Sequence, residues 1–257
     1  MKITVLAENT SKRESIGCEH GLSLFIETEE ASILFDMGQT NLFSENARKL
    51  GIDLASADFA ILSHGHYDHG GGLTEFLRIN QKAKVYLSRD AFMPHYNGTE
   101  KYIGLDTSLS QNDRLIFTHS EVSICKGIRL YPAAENITDK FSSAGLTVLE
   151  NGEFLPEDFR HEQYLEITER GRKILFSGCS HRGITNIMAS FRPDILVGGF
   201  HFSKITDTDT LSEYAEFLSR FDTDFYTCHC TGEEQFRFLS EKMPRLHYLG
   251  AGDSIEI

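Results

Sequence analysis

Short apolar runs bounded by glycine, acidic and amide residues recur along the chain, and most are too short for a buried helix but suit a strand. They are Ile3–Leu6, Leu22–Ile26, Ser32–Phe35, Phe59–Leu62, Ala83–Leu87, Gly127–Tyr131, Tyr164–Thr168, Lys173–Phe176, Ile195–Val197, Asp224–Thr227 and His247–Leu249. Between them, apolar side chains fall at helical spacing. Phe43, Ala47 and Leu50 share one face, as do Ile184, Ile187, Met188 and Phe191, then Leu211, Tyr214, Ala215 and Leu218, and finally Phe236, Leu239 and Met243. Such stripes are what a core-facing helix requires, so they read as packing surfaces. Thr210-x-x-Glu213 and Thr231-x-x-Glu234 have the capping-box pattern and predict two helix starts.

Two pairs of strand ends echo each other. Ile33-Leu34-Phe35-Asp36-Met37-Gly38 matches Ile174-Leu175-Phe176-Ser177-Gly178-Cys179, and the run from Asp58 to His64 matches the run from Asp194 to His201. Two similar halves packed sheet on sheet, with helices outside, would bring these polar turns to one shared edge. The segment from about 88 to 111 breaks the pattern, with Phe92, Met93, Pro94, Tyr96, Tyr102 and Ile103 scattered between glycines. It reads as an irregular insertion, either a lid or a packing element, because long loops in a compact domain are usually functional.

A chain of 257 residues that is 40% hydrophobic can bury a substantial core, and we read it as a single α/β domain over residues 1–257. The net charge of −13, with no Lys and Arg cluster, argues against nucleic acid as the partner. No apolar run approaches a membrane span, and the N-terminal strand Met1–Glu8 lacks a secretory pattern. Five cysteines without framework spacing suit a reducing compartment, so the expectation is a soluble cytoplasmic protein with no membrane partner. The sequence leaves the oligomeric state open, a homo-oligomer included.

The densest chemistry is His64-Gly65-His66-Tyr67-Asp68-His69, directly after the run Phe59-Ala60-Ile61-Leu62. Three imidazoles and a carboxylate on a glycine-rich turn supply the donors that zinc, iron and manganese accept, dense enough to orient toward two adjacent ions. This His-x-His-x-Asp-His hexad after a hydrophobic strand resembles the metallo-β-lactamase superfamily. The resemblance extends to a subgroup similar to the dihydropterin ribofuranosyl-aminobenzene 5'-phosphate synthases through Glu19-His20-Gly21-Leu22-Ser23, Gly178-Cys179-Ser180-His181, Gly198-Gly199-Phe200-His201 and His229-Cys230-Thr231-Gly232.

The resemblance implies a four-layer αββα sandwich and a dinuclear site. His64, His66 and His161 would hold one ion and Asp68, His69 and His229 the other, with Cys179 and a solvent oxygen between them. Cys179 stands where the superfamily usually has an aspartate, and a thiolate there favours softer ions, so two zinc ions are expected, with iron or manganese as alternatives. Asp36 is similar to the superfamily's aspartate that orients a ligand histidine. His181 is the alternative to His161 as a ligand. His201, like His181, is also a candidate to protonate a leaving group, since imidazole titrates near working pH. His20 and His95 are weaker candidates for substrate contact, and His119 and His247 read as surface residues.

A dinuclear centre supplies hydroxide at neutral pH and stabilises charge on a carbonyl or phosphoryl oxygen. The expected function is therefore a metal-dependent hydrolase of a small anionic molecule, with phosphodiesters or cyclic phosphates favoured over lactones and thioesters. In it Asp68 ligates and positions the nucleophile. The alternative is the subgroup's pterin-related condensation with pyrophosphate release. A di-iron redox or sensor protein ranks below both, because the chain has no flavodoxin-like domain or ferredoxin cysteine set to deliver electrons. A ligand-binding relic ranks low too, because the ligand types are complete.

Overall fold

Side chains along the strand Ser32–Phe35 alternate between two different cores, and the same alternation organises the rest of the fold. In a computed structural model of the protein, which describes residues 1–133 and 145–257, Leu34 faces the helices Leu42–Leu50 and Leu73–Ile79 through Phe43, Ala47, Leu73 and Phe76. Ile33 and Phe35 point the other way, into a layer shared with Leu165, Ile167, Ile174, Phe176, Ile195 and Val197. There Phe35 and Phe176 meet with ring centroids 5.6 Å apart. On the far side, Leu175, Leu196 and Phe225 turn toward the helices Ile184–Phe191, Thr208–Leu218 and Glu233–Ser240. The order of layers is thus helix, sheet, sheet, helix, which is the sandwich expected from the sequence.

Each main sheet has seven strands. The first runs Ser254–Glu256, Lys2–Ala7, Ser23–Glu27, Ser32–Phe35, Phe59–Ile61, Lys84–Ser88, Leu115–Thr118. The second runs, from its opposite edge, Val122–Cys125, Ile128–Pro132, Gln163–Glu169, Arg172–Gly178, Ile195–Gly198, Asp224–Thr227, Leu246–Tyr248. The strands that echo each other in sequence are fourth and fifth in both, and each pair is parallel. The duplication read from the strand ends therefore corresponds to equivalent places in the two sheets.

Gln163–Glu169 and Arg172–Gly178 form an antiparallel hairpin whose turn residues Arg170 and Gly171 both have positive φ, the backbone that a two-residue turn between right-twisted strands requires. It carries His161 at its entry and Cys179 at its exit back to one edge.

Neither capping box forms. The side chain of Asp207 accepts from the Thr210 amide at 3.0 Å and caps the helix one turn before Thr210 could. The other helix starts at Gly232, and the Thr231 hydroxyl is committed to the Phe200 amide and to Thr227. Within residues 88–111 the chain is less irregular than its composition predicts. His95–Asn97 and Lys101–Tyr102 pair with each other, and His95–Asn97 also pairs with Leu146–Glu150, which in turn pairs with Glu153–Pro156 to complete a small four-stranded sheet. Among the described residues no helix is long and apolar enough to cross a membrane.

Candidate metal centre

The hexad leaves the strand Phe59–Ile61 and folds into a single helical turn, Tyr67–Gly70. Two glycines make this possible. A Cβ on Gly65 would stand 2.1 Å from the Ala91 carbonyl oxygen. Gly178 has φ +62°, and a Cβ there would stand 2.4 Å from Ser63 Oγ. The chain therefore passes close enough to bring His64, His69 and Cys179 together, all of them buried.

Hydrogen bonds behind the site fix which nitrogen of each ring faces inward. Ser63 Oγ donates to Asp36 Oδ2 at 2.7 Å, so His64 Nδ1, 2.9 Å from that hydroxyl, is the donor to it. The Nε2 lone pair of His64 is left buried without a partner. His69 Nδ1 donates to Asp36 Oδ2 at 2.6 Å, and His229 Nδ1 to Asn9 Oδ1 at 2.8 Å. Neutral rings with these bonds turn lone pairs toward each other, and His69 Nε2 lies 3.3 Å from His229 Nε2 and 3.1 Å from Cys179 Sγ. Two lone pairs that close need a cation or a proton between them. The Asp36 carboxylate supplies the proton's stabilisation in the metal-free protein: burial alone would lower the His69 pKa, yet the charge and hydrogen bond of Asp36 raise it.

Donor atoms of His64, Cys179 and His181 lie within 4.8 Å of one another, as do those of His69, Cys179 and His229, and those of His20, Asp68 and His229. Cys179 is common to the first two groups. His181 is buried with both ring nitrogens unpartnered, and its ring stands 4.9 Å from those of His64 and His66. Asp68 Oδ2 accepts from His20 at 3.2 Å and lies 3.4 Å from His229 Nε2. Half-exposed His20 sits at the mouth. His201 has φ +58° and places its ring 4.3 Å from that of His181. His119 and His247 are exposed. Of the neighbouring cysteines, Cys228 is buried between the sheets, and Cys230 turns its thiol toward the Cys179 carbonyl oxygen at 3.5 Å.

His66 and His161 keep different company from His64. Their donor atoms group with those of His95 and Glu157, again within 4.8 Å. Glu157 was not singled out by the sequence. It accepts from His95 Nδ1 at 2.6 Å across 62 residues, and the only signal for it is an acid four residues before His161. Glu8 and Glu162 were missed in the same way. Glu8 accepts from the His229 amide at 2.6 Å and Glu162 from the His181 amide at 2.6 Å, each fixing the backbone at a site histidine. Burial raises the pKa of Glu162 to about 7 against the bonds it accepts from Tyr164, Arg182 and His181.

The metallo-beta-lactamase superfamily model matches residues 16–218. The chain belongs to that superfamily. Tm1679, described as a metal-dependent hydrolase of the beta-lactamase superfamily, is 32% identical, with a TM-score of 0.87 over 100% of this chain and 99% of its own. The 7,8-dihydropterin-6-methyl-4-(beta-D-ribofuranosyl)-aminobenzene-5'-phosphate synthase of Methanocaldococcus jannaschii is 27% identical over 100% of this chain and 96% of its own. An uncharacterised protein of the same organism, MJ0448, is 28% identical over 93% of this chain and 94% of its own.

Members of this superfamily are mostly enzymes, and the fold implies divalent metal binding. The electrostatics here suit that. Burial lowers the pKa of His66 to about 3 and those of His201 and His229 to about 4, so these rings are neutral at pH 7 and present lone pairs. Burial would raise Asp68, but the hydrogen bond from His20 and the nearness of His229 and His69 hold it well below the usual carboxylate range. Burial and the neighbouring Cys230 push the Cys179 thiol well up, so it becomes a ligand only when a cation replaces its proton.

Proposed function

We propose that the protein is a metal-dependent hydrolase that acts on a small anionic substrate, with phosphodiesters and cyclic phosphates as the preferred class. The observation that carries this reading is the pair of donor groups hinged on Cys179, with buried imidazole nitrogens that have no other partner. His64, His66, Cys179 and His181 would hold one ion, the His66 ring standing 4.6 Å from that of His64 and 4.9 Å from that of His181 with its Nε2 buried and unpartnered, and Asp68, His69, Cys179 and His229 would hold the second. His181 is favoured over His161 for the first, because the Gly65 amide donates to His161 Nδ1 at 2.8 Å and leaves the proton of that neutral ring on Nε2. Zinc suits a donor set of imidazole, thiolate and carboxylate, with iron or manganese as alternatives.

Two such ions would supply Lewis-acid polarisation of the substrate and an activated water. The chain supplies orientation. Asp36, Ser63 and Asn9 fix the ligand rings, while Asp68, held by His20, orients the attacking oxygen. His201, neutral at pH 7, donates a hydrogen bond to a substrate oxygen and takes part in proton transfer to the leaving group. Lys204 lies close enough to lower the His201 pKa and adds positive charge for an anionic substrate. Residues 88–111 act as a cover, since Ala91 and Ile103 press on the hexad backbone, the latter accepting from the Tyr67 amide at 2.8 Å.

The test is elemental analysis of protein purified without added metal, followed by bis-para-nitrophenyl phosphate turnover by wild type and Cys179→Ser. Two ions per Cys179-centred site and turnover lost in the variant support the reading. Bound metal without turnover favours the second reading, a pterin-related phosphate synthase. That reading draws on the named relative at 27% identity and is tested by pyrophosphate release from the corresponding substrates.

A further inference from the structure

Glu8 and Glu162 are fully buried carboxylates that grip two site histidines in the same way. In each, both oxygens face a backbone amide, and a tyrosine hydroxyl adds a further donor. Glu8 Oε1 accepts from the His229 amide at 2.6 Å and the Tyr248 hydroxyl at 2.8 Å. Its Oε2 accepts from the Thr10 amide at 2.6 Å and the Thr10 hydroxyl at 2.8 Å. Glu162 Oε1 accepts from the His181 amide at 2.6 Å, and its Oε2 from the Arg182 amide at 3.0 Å and the Tyr164 hydroxyl at 2.7 Å. An amide on each oxygen demands a carboxylate, because a glutamine in either orientation would set its NH2 group against a backbone N–H. The backbone held this way is left-handed, with φ +48° at His229 and φ +57° at Ser180, directly before His181. Residues other than glycine keep that conformation only where their surroundings over-determine it.

We propose that Glu8 and Glu162 are positioning residues of the metal centre, one for each ion of the proposed pair, acting through His229 and His181 respectively. The assignment rests on that pair. Glu8 directly follows the strand Lys2–Ala7, and its neighbour Asn9 takes Nδ1 of the same histidine at 2.8 Å. Two consecutive residues thus fix one ligand, the first by its backbone and the second by its ring. The aim of His229 Nε2 is set from the first sheet, although His229 itself follows Asp224–Thr227 of the second. Glu162 does the corresponding work across the hairpin, from its entry to His181 beyond its exit. The ring nitrogens of His181 have no hydrogen-bond partner among the described residues. Its aim comes from Glu162 behind the amide and from Phe159, stacked on the ring with centroids 4.4 Å apart at 8°.

Double-mutant cycles separate this role from a general one in folding. EDTA-stripped full-length protein is titrated with Zn²⁺ against a chromophoric chelator as wild type, Glu8→Gln, Glu162→Gln, His229→Ala, His181→Ala and the four combinations of one Glu with one His variant. Losing an outer partner costs about 10–100-fold in metal affinity, so each glutamine variant should weaken one zinc ion by that amount. The loss from Glu8→Gln should vanish, to within about twofold, in the His229→Ala background and persist in His181→Ala. The reverse should hold for Glu162→Gln. Tyr248→Phe keeps the ring but removes one donor from Glu8, so it should show a smaller loss with the same dependence on His229, and it reads the same contact should Glu8→Gln fail to fold. Zinc affinities unchanged in the glutamine variants, or losses of equal size in both histidine backgrounds, overturn the proposal. Failure of the metal reading is distinct: His229→Ala and His181→Ala would then bind zinc as wild type does, which overturns both.

Discussion

His69 Nδ1 stands 2.6 Å from Asp36 Oδ2, and both side chains are fully buried. Asp36 holds this ring from a left-handed backbone, φ +58°, and also accepts from the Ser63 amide and hydroxyl, each at 2.7 Å. One carboxylate thus fixes His69 directly and His64 through Ser63. Asp36→Asn keeps the shape but offers a single acceptor oxygen to these donors. Loss of an outer partner of this kind costs about 10–100-fold in metal affinity. Competition against a chromophoric zinc chelator measures it, and a zinc affinity within twofold of wild type would show that Asp36 does not orient the ligands.

Gly178 is the second structural requirement. With φ +62° and a hypothetical Cβ 2.4 Å from Ser63 Oγ, alanine there is both strained and crowded. Strain of this kind costs on the order of 1–3 kcal/mol. Gly178→Ala should lower the urea midpoint of the metal-free protein by a corresponding amount. It should also weaken metal binding, because Cys179 and Ser63 move apart. Gly171→Ala, at a hairpin turn where nothing lies within 4 Å of a Cβ, tests positive φ without the clash. Equal losses in the two would mean that crowding against Ser63 contributes nothing.

Legibility of the chain follows how local each signal is. Strands such as Ser32–Phe35 carry four consecutive residues with three buried, and their boundaries read directly from the sequence. Leu115–Thr118 and Val122–Cys125 lie at sheet edges, mix exposed and buried positions, and were missed. The helix Leu73–Ile79 is absent from the stripes found in the sequence, being only seven residues long and following directly on Gly72. At the site, the hexad is contiguous and therefore visible. Glu157 becomes meaningful only when the small third sheet carries His95 to it, and no spacing within the chain encodes that meeting. The preference for His181 over His161 rests on the Gly65 amide, which engages His161 Nδ1 while both ring nitrogens of His181 are unpartnered, a property of the folded loops alone.

The buried imidazoles set an acid limit on the metal-free protein. His66, His201 and His229 have folded pKa values of about 3, 4 and 4, below the unfolded value of about 6.5. Between the two values the unfolded chain binds more protons, so stability present above about pH 6.5 is lost as pH falls. His64, His161 and His181, lowered by burial in the same sense, add to the loss. His69 opposes it, because its raised pKa contributes stability that is present below the unfolded value and lost as pH rises through the folded one. Glu162, raised to about 7, and Glu8, also raised by burial, oppose it in the same sense as His69, so six rings stand against three groups. EDTA-treated protein should show a falling Tm from pH 7 to pH 5 by circular dichroism, and a flat profile across that interval would contradict the neutral, buried assignment.

The proposed pair makes Cys179 the residue on which metal preference should turn. Its sulfur lies 3.1 Å from His69 Nε2 and belongs to both groups of the proposed pair, so changing its softness alters the environment of both ions at once. Cys179→Asp installs an oxygen donor at a position of the same reach. Thiolate selects zinc and other soft ions, whereas carboxylate suits manganese and magnesium. The metal-free thiol must also shed a proton that burial holds tightly, while a carboxylate starts from a far lower ordinary pKa. The variant should therefore lose discrimination: the ratio of zinc to manganese affinity falls by at least tenfold, read by competitive titration with both ions. A ratio unchanged from wild type would mean that the sulfur does not touch the ions and that the imidazoles and Asp68 set the selectivity without it.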